Sequence, residues 1–113
     1  FRDFLVWQKS MELVTGIYQA TQYFTVSEMY GLTNQIRRAA VSIPSNIAEG
    51  YARNSTREYR RFLQIAKGSL YELETQTEIS LNIGYISTDT FSQLFEKEDE
   101  LDRMLYSLIK KIN

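Results

Sequence analysis

One proline stands in the middle of the most strongly patterned stretch of this chain, and it limits what the chain can become. Residues 36–50, IRRAAVSIPSNIAEG, carry an apolar rhythm at helical spacing on both sides of Pro44. Met29, Leu32, Ile36, Ala40, Ile43 and Ile47 fall within about 40° of one direction at 100° per residue. Pro44 cannot donate to the Ala40 carbonyl, and its ring crowds that turn, so a kink is expected there. Because the apolar face continues in phase to Ile47, the pattern predicts a continuous kinked helix rather than two.

The flanks of this helix carry two further stripes. Val41, Pro44, Ala48 and Tyr51 form a second apolar strip, and a helix apolar on two sides is buried on two sides. In so small a bundle the second partner is expected to be another subunit. Gln35, Arg38, Ser42, Asn46 and Glu49 make a polar line on the remaining flank. Asn46 and Glu49 have the chemistry of an acid–base pair, against the plainer reading of polar groups that bridge helices or subunits.

The rest of the chain reads as helices of matching length. With 113 residues, one proline and five glycines there is room for a single domain and little punctuation inside it. The predicted helices cover about 4–23, 28–51, 56–83 and 88–112. In the first, Phe4, Trp7, Met11, Val14 and Tyr18 recur at steps of three and four, the seam of a bundle helix. Thr25 or Ser27 is placed to cap the second. Ser55 with Glu58 is a capping box that opens the third, whose core face is Tyr59, Phe62, Ala66, Leu70, Leu73 and Thr77. Gly68 and Ser69 within it suggest a close backbone approach. Gly84 is placed as the left-handed residue that stops it. Ser87 or Thr88 caps the fourth, where Phe91, Leu94, Leu101, Leu105, Leu108 and Ile112 keep heptad phase with Glu98 as the one polar member. Four helices with short links predict an all-α, up-down-up-down bundle over residues 1–113.

The fold would convert a linear charge asymmetry into two poles. Residues 37–67 hold seven Arg and Lys against two acids, a net charge of +5, and residues 72–102 hold nine acids against Lys97, a net of −8. Alternating helix directions bring Arg2, Lys9, Arg53, Arg57, Arg60, Arg61, Lys110 and Lys111 to one end. Arg57, Arg60 and Arg61 oppose the dipole of the third helix, each by about 0.3–1 kcal/mol. One explanation is an anion site such as a phosphate backbone, with Arg37, Arg53 and Lys67 adding to it. The other is a solvated face, or ion pairs with the acidic pole of a neighbouring subunit.

Several chemistries are not expected. With no cysteine and no histidine there is no thiolate, no Ser–His or Cys–His arrangement, and no di-iron site of the Glu-x-x-His type. Glu96, Glu98, Asp99, Glu100 and Asp102 are too consecutive to share one helix face as metal ligands, and no glycine-rich phosphate loop occurs. We therefore expect no enzyme activity, cofactor, metal or small-molecule substrate. No apolar run reaches the length of a membrane span and no signal peptide is visible, so no membrane partner is expected and the cytoplasm is the expected compartment. The start at Phe1 rather than Met suggests that a few residues precede it.

The central stretch also carries a resemblance. Gly31-Leu32, Gln35, Arg37-Arg38-Ala39-Ala40 and Val41-Ser42-Ile43-Pro44-Ser45-Asn46-Ile47-Ala48-Glu49-Gly50 closely resemble the signature of the bacterial 23S rRNA intervening-sequence proteins, also called the S23 ribosomal protein family. The likeness extends upstream to Val6-Trp7-Gln8-Lys9 and downstream through Tyr59, Phe62-Leu63, Ile65-Ala66, Gly68-Ser69, Glu72-Leu73-Glu74 and Gly84-Tyr85-Ile86. The resemblance implies a four-helix bundle encoded in insertions within large-subunit rRNA genes or standing alone in bacterial genomes. A related branch is the accessory proteins of diversity-generating retroelements, which look like pentameric barrels that bind nucleic acid and a reverse transcriptase. By that similarity a homopentamer is expected here. The leading expectation is a homo-oligomeric bundle that binds structured RNA or DNA. The alternative is a protein-interaction scaffold or accessory subunit with no nucleic-acid role.

Overall fold

The computed structural model describes residues 2–112, with side chains from Phe4 onward. Its helices are α1 (Arg2–Thr21), α2 (Leu32–Tyr51), α3 (Thr56–Asn82) and α4 (Thr88–Lys111), with a single 3-10 turn at Val26–Glu28. Each packs on its chain neighbours and α1 closes on α4, so α2 lies diagonally across from α4 in an antiparallel four-helix bundle.

Local chemistry sets the boundaries. The Ser55 hydroxyl accepts from the Glu58 amide at 3.1 Å, and the Ser87 hydroxyl accepts from the Thr90 amide at 3.1 Å, as predicted for both caps. Gly84 has φ 80°, with its own amide on the Leu81 carbonyl and the Tyr85 amide on the Ser80 carbonyl, so α3 stops where the sequence said it would. At the same end the Tyr85 hydroxyl donates to Glu28 at 3.0 Å, and the other Glu28 oxygen accepts from the Leu32 amide at 3.2 Å. Glu28 thus both caps α2 and fastens it to the α3–α4 link. Thr25 and Ser27 do not cap α2; their hydroxyls bond to each other at 3.0 Å. The second helix accordingly begins at Leu32 rather than residue 28, and Met29 stands exposed instead of in the core.

Two core assignments change. The α1 seam is Val6, Ser10, Leu13, Ile17 and Thr21, about 100° round the helix from the predicted one. Trp7 and Val14 are half-buried between the two stripes, while Phe4, Met11 and Tyr18 are exposed. Ser10 and Thr21 can enter the core because their hydroxyls are already satisfied, on the Trp7 carbonyl at 2.7 Å and the Ile17 carbonyl at 2.8 Å. In α3, Leu63 is buried while Phe62 and Tyr59 are half-buried, and the core continues through Gln76, Thr77 and Ser80. In α4, Glu98, the polar member of the heptad face, is buried to 1% exposure inside the core.

Pro44 is also buried. α2 runs unbroken through it, and the residue lies two turns on from Arg37, on the flank that faces α1. It therefore belongs to the contact between helices of one chain and not to the exposed strip with Val41, Ala48 and Tyr51. α2 and α3 lie close together at Gly50, where a Cβ would stand 2.7 Å from the Phe62 Cβ and 3.2 Å from the Tyr59 carbonyl oxygen. Gly68, by contrast, faces open space, so the close approach expected there is absent. Its neighbour Ser69 does bridge helices, with its hydroxyl 2.8 Å from that of Ser42.

Candidate nucleic-acid interface

The end of the bundle formed by the α2–α3 link and the close of α4 holds six cationic side chains. Ser55 fixes the first turn of α3, which sets Arg57, Arg60 and Arg61 within its first two turns. Arg60 is half-buried, and its guanidinium donates to the Ile112 carbonyl at the end of α4. The unfavourable placement of a cation at the start of α3 is thereby offset by the negative end of the antiparallel helix beside it. Arg60 is a staple between helices, and only part of it is left for an outside ligand.

Arg53 and Arg61 converge on one ring. The Arg53 guanidinium carbon lies 5.0 Å and that of Arg61 4.7 Å from the centroid of Phe62. Each also has a carboxylate: Arg53 pairs with Glu49 at 2.6 Å, and Arg61 with Glu58 at 3.4 Å. Both pairs are solvent-exposed, so each is worth little and yields readily to a stronger anion. Arg57 is exposed and forms no ion pair among the described residues. Lys110 and Lys111 close the last turn of α4. Lys9 pairs with Glu100 at 3.6 Å along the α1–α4 seam, and the side chain of Arg2 lies outside what is described.

Two predicted members are elsewhere. Arg37 sits 14 residues before the end of α2 at Tyr51, about 21 Å along the helix from the link that carries Arg53. Its Nε donates to the Thr21 hydroxyl at 2.8 Å, and its guanidinium carbon is 4.5 Å from the Tyr18 ring. It clamps α2 to α1 and does not join the arginine end. Lys67 lies two turns beyond Arg60 on α3, with its ammonium 5.7 Å from the ring of Tyr71 and 4.8 Å from that of Tyr106 on α4.

The predicted polar line divides in the same way. Asn46 donates to the Ser42 carbonyl at 2.8 Å and to its hydroxyl at 3.0 Å, and Ser42 reaches Ser69 on α3. That three-residue bridge is real. Gln35 and Arg38 line a shallow groove beside Ser42 and Glu72, and Glu49 turns to Arg53, so none of these three joins the bridge. The exposed strip on α2 consists of Val41, Ala48 and Tyr51, the last 67% exposed. The Arg37–Tyr18 contact puts the exposed α1 stripe on the α2 side of that helix, and Tyr18 shares a groove with Val41. The exposed Phe4, Met11 and Tyr18 therefore run alongside the α2 strip.

At the acidic end, Glu98 of α4 meets Thr77 of α3 at 2.7 Å inside the core. Burial pushes its carboxyl up to about 7, helped by the charge of Glu74 and opposed by the Thr77 hydrogen bond. Glu74 is raised as well, first by burial and then by Asp102 and Asp99. The heptad phase of Glu98 between Leu94 and Leu101 was the sequence signal for this burial. Phe62 as a shared platform for two arginines had no such signal, because it depends on where the α2–α3 link turns.

No helix of the described residues is long and apolar enough to cross a membrane. No curated protein matches the chain. A crystal structure of a protein with unknown function from the S23 ribosomal protein family, from Bacteroides thetaiotaomicron, is similar with a TM-score of 0.90 and 25% sequence identity, over 98% of this chain and 100% of that one. The family model for the 23S rRNA-intervening sequence protein matches residues 2–107. With the match spanning all four helices and the motif of α2 at its centre, this chain belongs to the 23S rRNA-intervening sequence protein family.

Proposed function

We propose that the protein is a non-enzymatic, homo-oligomeric helical bundle that binds structured RNA or DNA through its arginine-bearing end. The observation that carries this reading is the set of Arg53, Arg57 and Arg61 around the N-terminus of α3, with Arg57 in no ion pair among the described residues and the other two held by exposed carboxylates and the Phe62 ring. Backbone amides of a helix start and guanidinium groups act together on a phosphate. The family's association with 23S rRNA genes makes rRNA the first nucleic acid to test. Labelled rRNA fragments titrated at about 50 and about 200 mM salt should bind at the lower and weaken steeply at the higher. Absence of binding at low salt would remove the reading.

Self-association is part of the same proposal. Phe4, Met11 and Tyr18 on α1 and Val41 and Tyr51 on α2 are apolar and exposed, which suits burial against another copy. Family resemblance makes a pentamer the expected number.

A second reading rests on its own observation. Arg60 is engaged by Ile112, and Arg53 and Arg61 each have a carboxylate of their own. An end so internally satisfied suits a scaffold that docks a protein partner and has no nucleic-acid role. A partner that co-purifies after nuclease treatment, with rRNA binding absent, would favour it.

A further inference from the structure

Beyond the arginine end, the outer surface of α3 and α4 carries a run of alternating cations and aromatic rings. Tyr106 has two ammonium groups over its ring, Lys67 at 4.8 Å and Lys110 at 5.9 Å, and Lys67 also reaches Tyr71 at 5.7 Å. Neither lysine has a carboxylate within ion-pair distance among the described residues. Tyr71 and Tyr106 are about half exposed, at 47% and 57%. Each of these tyrosines stands at the surface beside a lysine that no carboxylate neutralises among the described residues.

We propose that the Lys67–Tyr71–Tyr106–Lys110 surface is a stacking platform for unpaired nucleotides, continuous with the arginine end. The inference rests on the nucleic-acid reading given above and specifies its ligand: a single-stranded segment emerging from a structured region. The ring faces can be reached by bases only when those bases are unpaired, whereas the lysines serve the phosphates between them. From Arg60 to Tyr71 the run covers about 16 Å of helix. It ends at Glu74, Asp99 and Asp102, which repel a phosphate chain and so set the far limit of the strand. The platform also faces away from α2, which lies diagonally across the bundle from α4, so self-association through the α1–α2 strip leaves it open.

The platform and the arginine end can be told apart by fluorescence anisotropy with a labelled single-stranded oligouridine and a blunt RNA duplex of equal length. Thermal melting by circular dichroism would first establish that each variant is folded. Replacing both Tyr71→Leu and Tyr106→Leu should weaken single-strand binding by about tenfold or more, given the contribution of base–aromatic stacking. Duplex binding should change less than about twofold, and Tyr71→Phe with Tyr106→Phe should keep single-strand affinity. Replacing Arg57→Ala with Arg61→Ala should weaken both ligands. Unchanged single-strand affinity in the leucine variant, with the arginine variant still weakened, would overturn the platform and leave the arginine end standing. Equal losses on both ligands in the leucine variant would overturn it too. A wild-type protein that binds neither ligand would refute both.

Discussion

The Thr77 hydroxyl lies 2.7 Å from a carboxyl oxygen of Glu98 and 2.9 Å from the carbonyl of Leu73, and it has one proton to give. If Glu98 is ionised, only one of these contacts is a hydrogen bond, and a buried charge is left with one donor at most. If Glu98 is protonated, its own O–H donates to Thr77 while Thr77 donates to Leu73, and both contacts are satisfied. The geometry and the effect of burial agree: both favour the protonated carboxyl, whose pKa is pushed up to about 7.

The folded-state value of Glu98 is raised above the ordinary 4.5, so between the two values the folded protein keeps a proton that the unfolded chain has lost. Stability contributed by Glu98 is therefore greatest below about pH 4.5 and falls as pH rises through 7, by an amount on the order of 3 kcal/mol. Glu74 has the same sign. Glu98→Gln replaces the carboxyl O–H by an amide N–H that can donate to Thr77. Urea unfolding at pH 5, 6, 7 and 8 should show a falling trend in the wild type and a much flatter one in Glu98→Gln, with the variant more stable at pH 8.

Gly50 and Gly68 should respond to alanine in opposite directions. At Gly50 the new methyl meets α3 backbone and the Phe62 Cβ, neither of which can swing aside, and a loss of about 1–3 kcal/mol is expected. At Gly68 the methyl points into open space in mid-helix, where alanine is favoured by about 1 kcal/mol. Denaturation midpoints of the two variants against the wild type check both signs.

Arg57 and Arg60 are three residues apart, and only Arg60 is a structural group. Arg60→Ala removes the donor to Ile112 and should cost about 1 kcal/mol, with α4 fraying at its C-terminus. Arg57→Ala should leave stability within about 0.5 kcal/mol. Amide hydrogen exchange over the last turn of α4 separates the two.

The proposed self-association predicts that Ala48→Glu lowers the molecular mass measured by light scattering. Ala48 is exposed within one chain, so the carboxylate harms nothing unless a second copy covers it. An unchanged mass would place the contact elsewhere.

Helix number, the caps of α3 and α4 and the stop of α3 were legible because they depend on neighbours in sequence: Ser55, Ser87 and Gly84 act within one turn of their own position. The face of α1 was not legible, since its aromatic stripe is the more hydrophobic one. What selects Val6, Leu13 and Ile17 instead is that Ser10 and Thr21 satisfy themselves, together with the fit to the other helices. Pro44 looked like a member of the outer strip because the width of the buried face of α2 is set by α1. At the candidate site, clustering Arg53, Arg57 and Arg61 required only the alternating helix directions. Sorting out Arg37, Arg60 and Lys67 required knowing which carbonyl, hydroxyl or ring each meets, and those partners come from other helices.

The central claim is that Arg57 and Arg61 meet phosphates, and the salt dependence of RNA binding tests it most directly. Affinity of the wild-type protein for an rRNA fragment, measured between about 50 and about 200 mM salt, should fall linearly on logarithmic axes. The double variant Arg57→Ala with Arg61→Ala should bind more weakly and with a slope shallower by about two, one for each arginine removed. An identical slope in wild type and variant, or no binding by either at the lowest salt, would contradict the account.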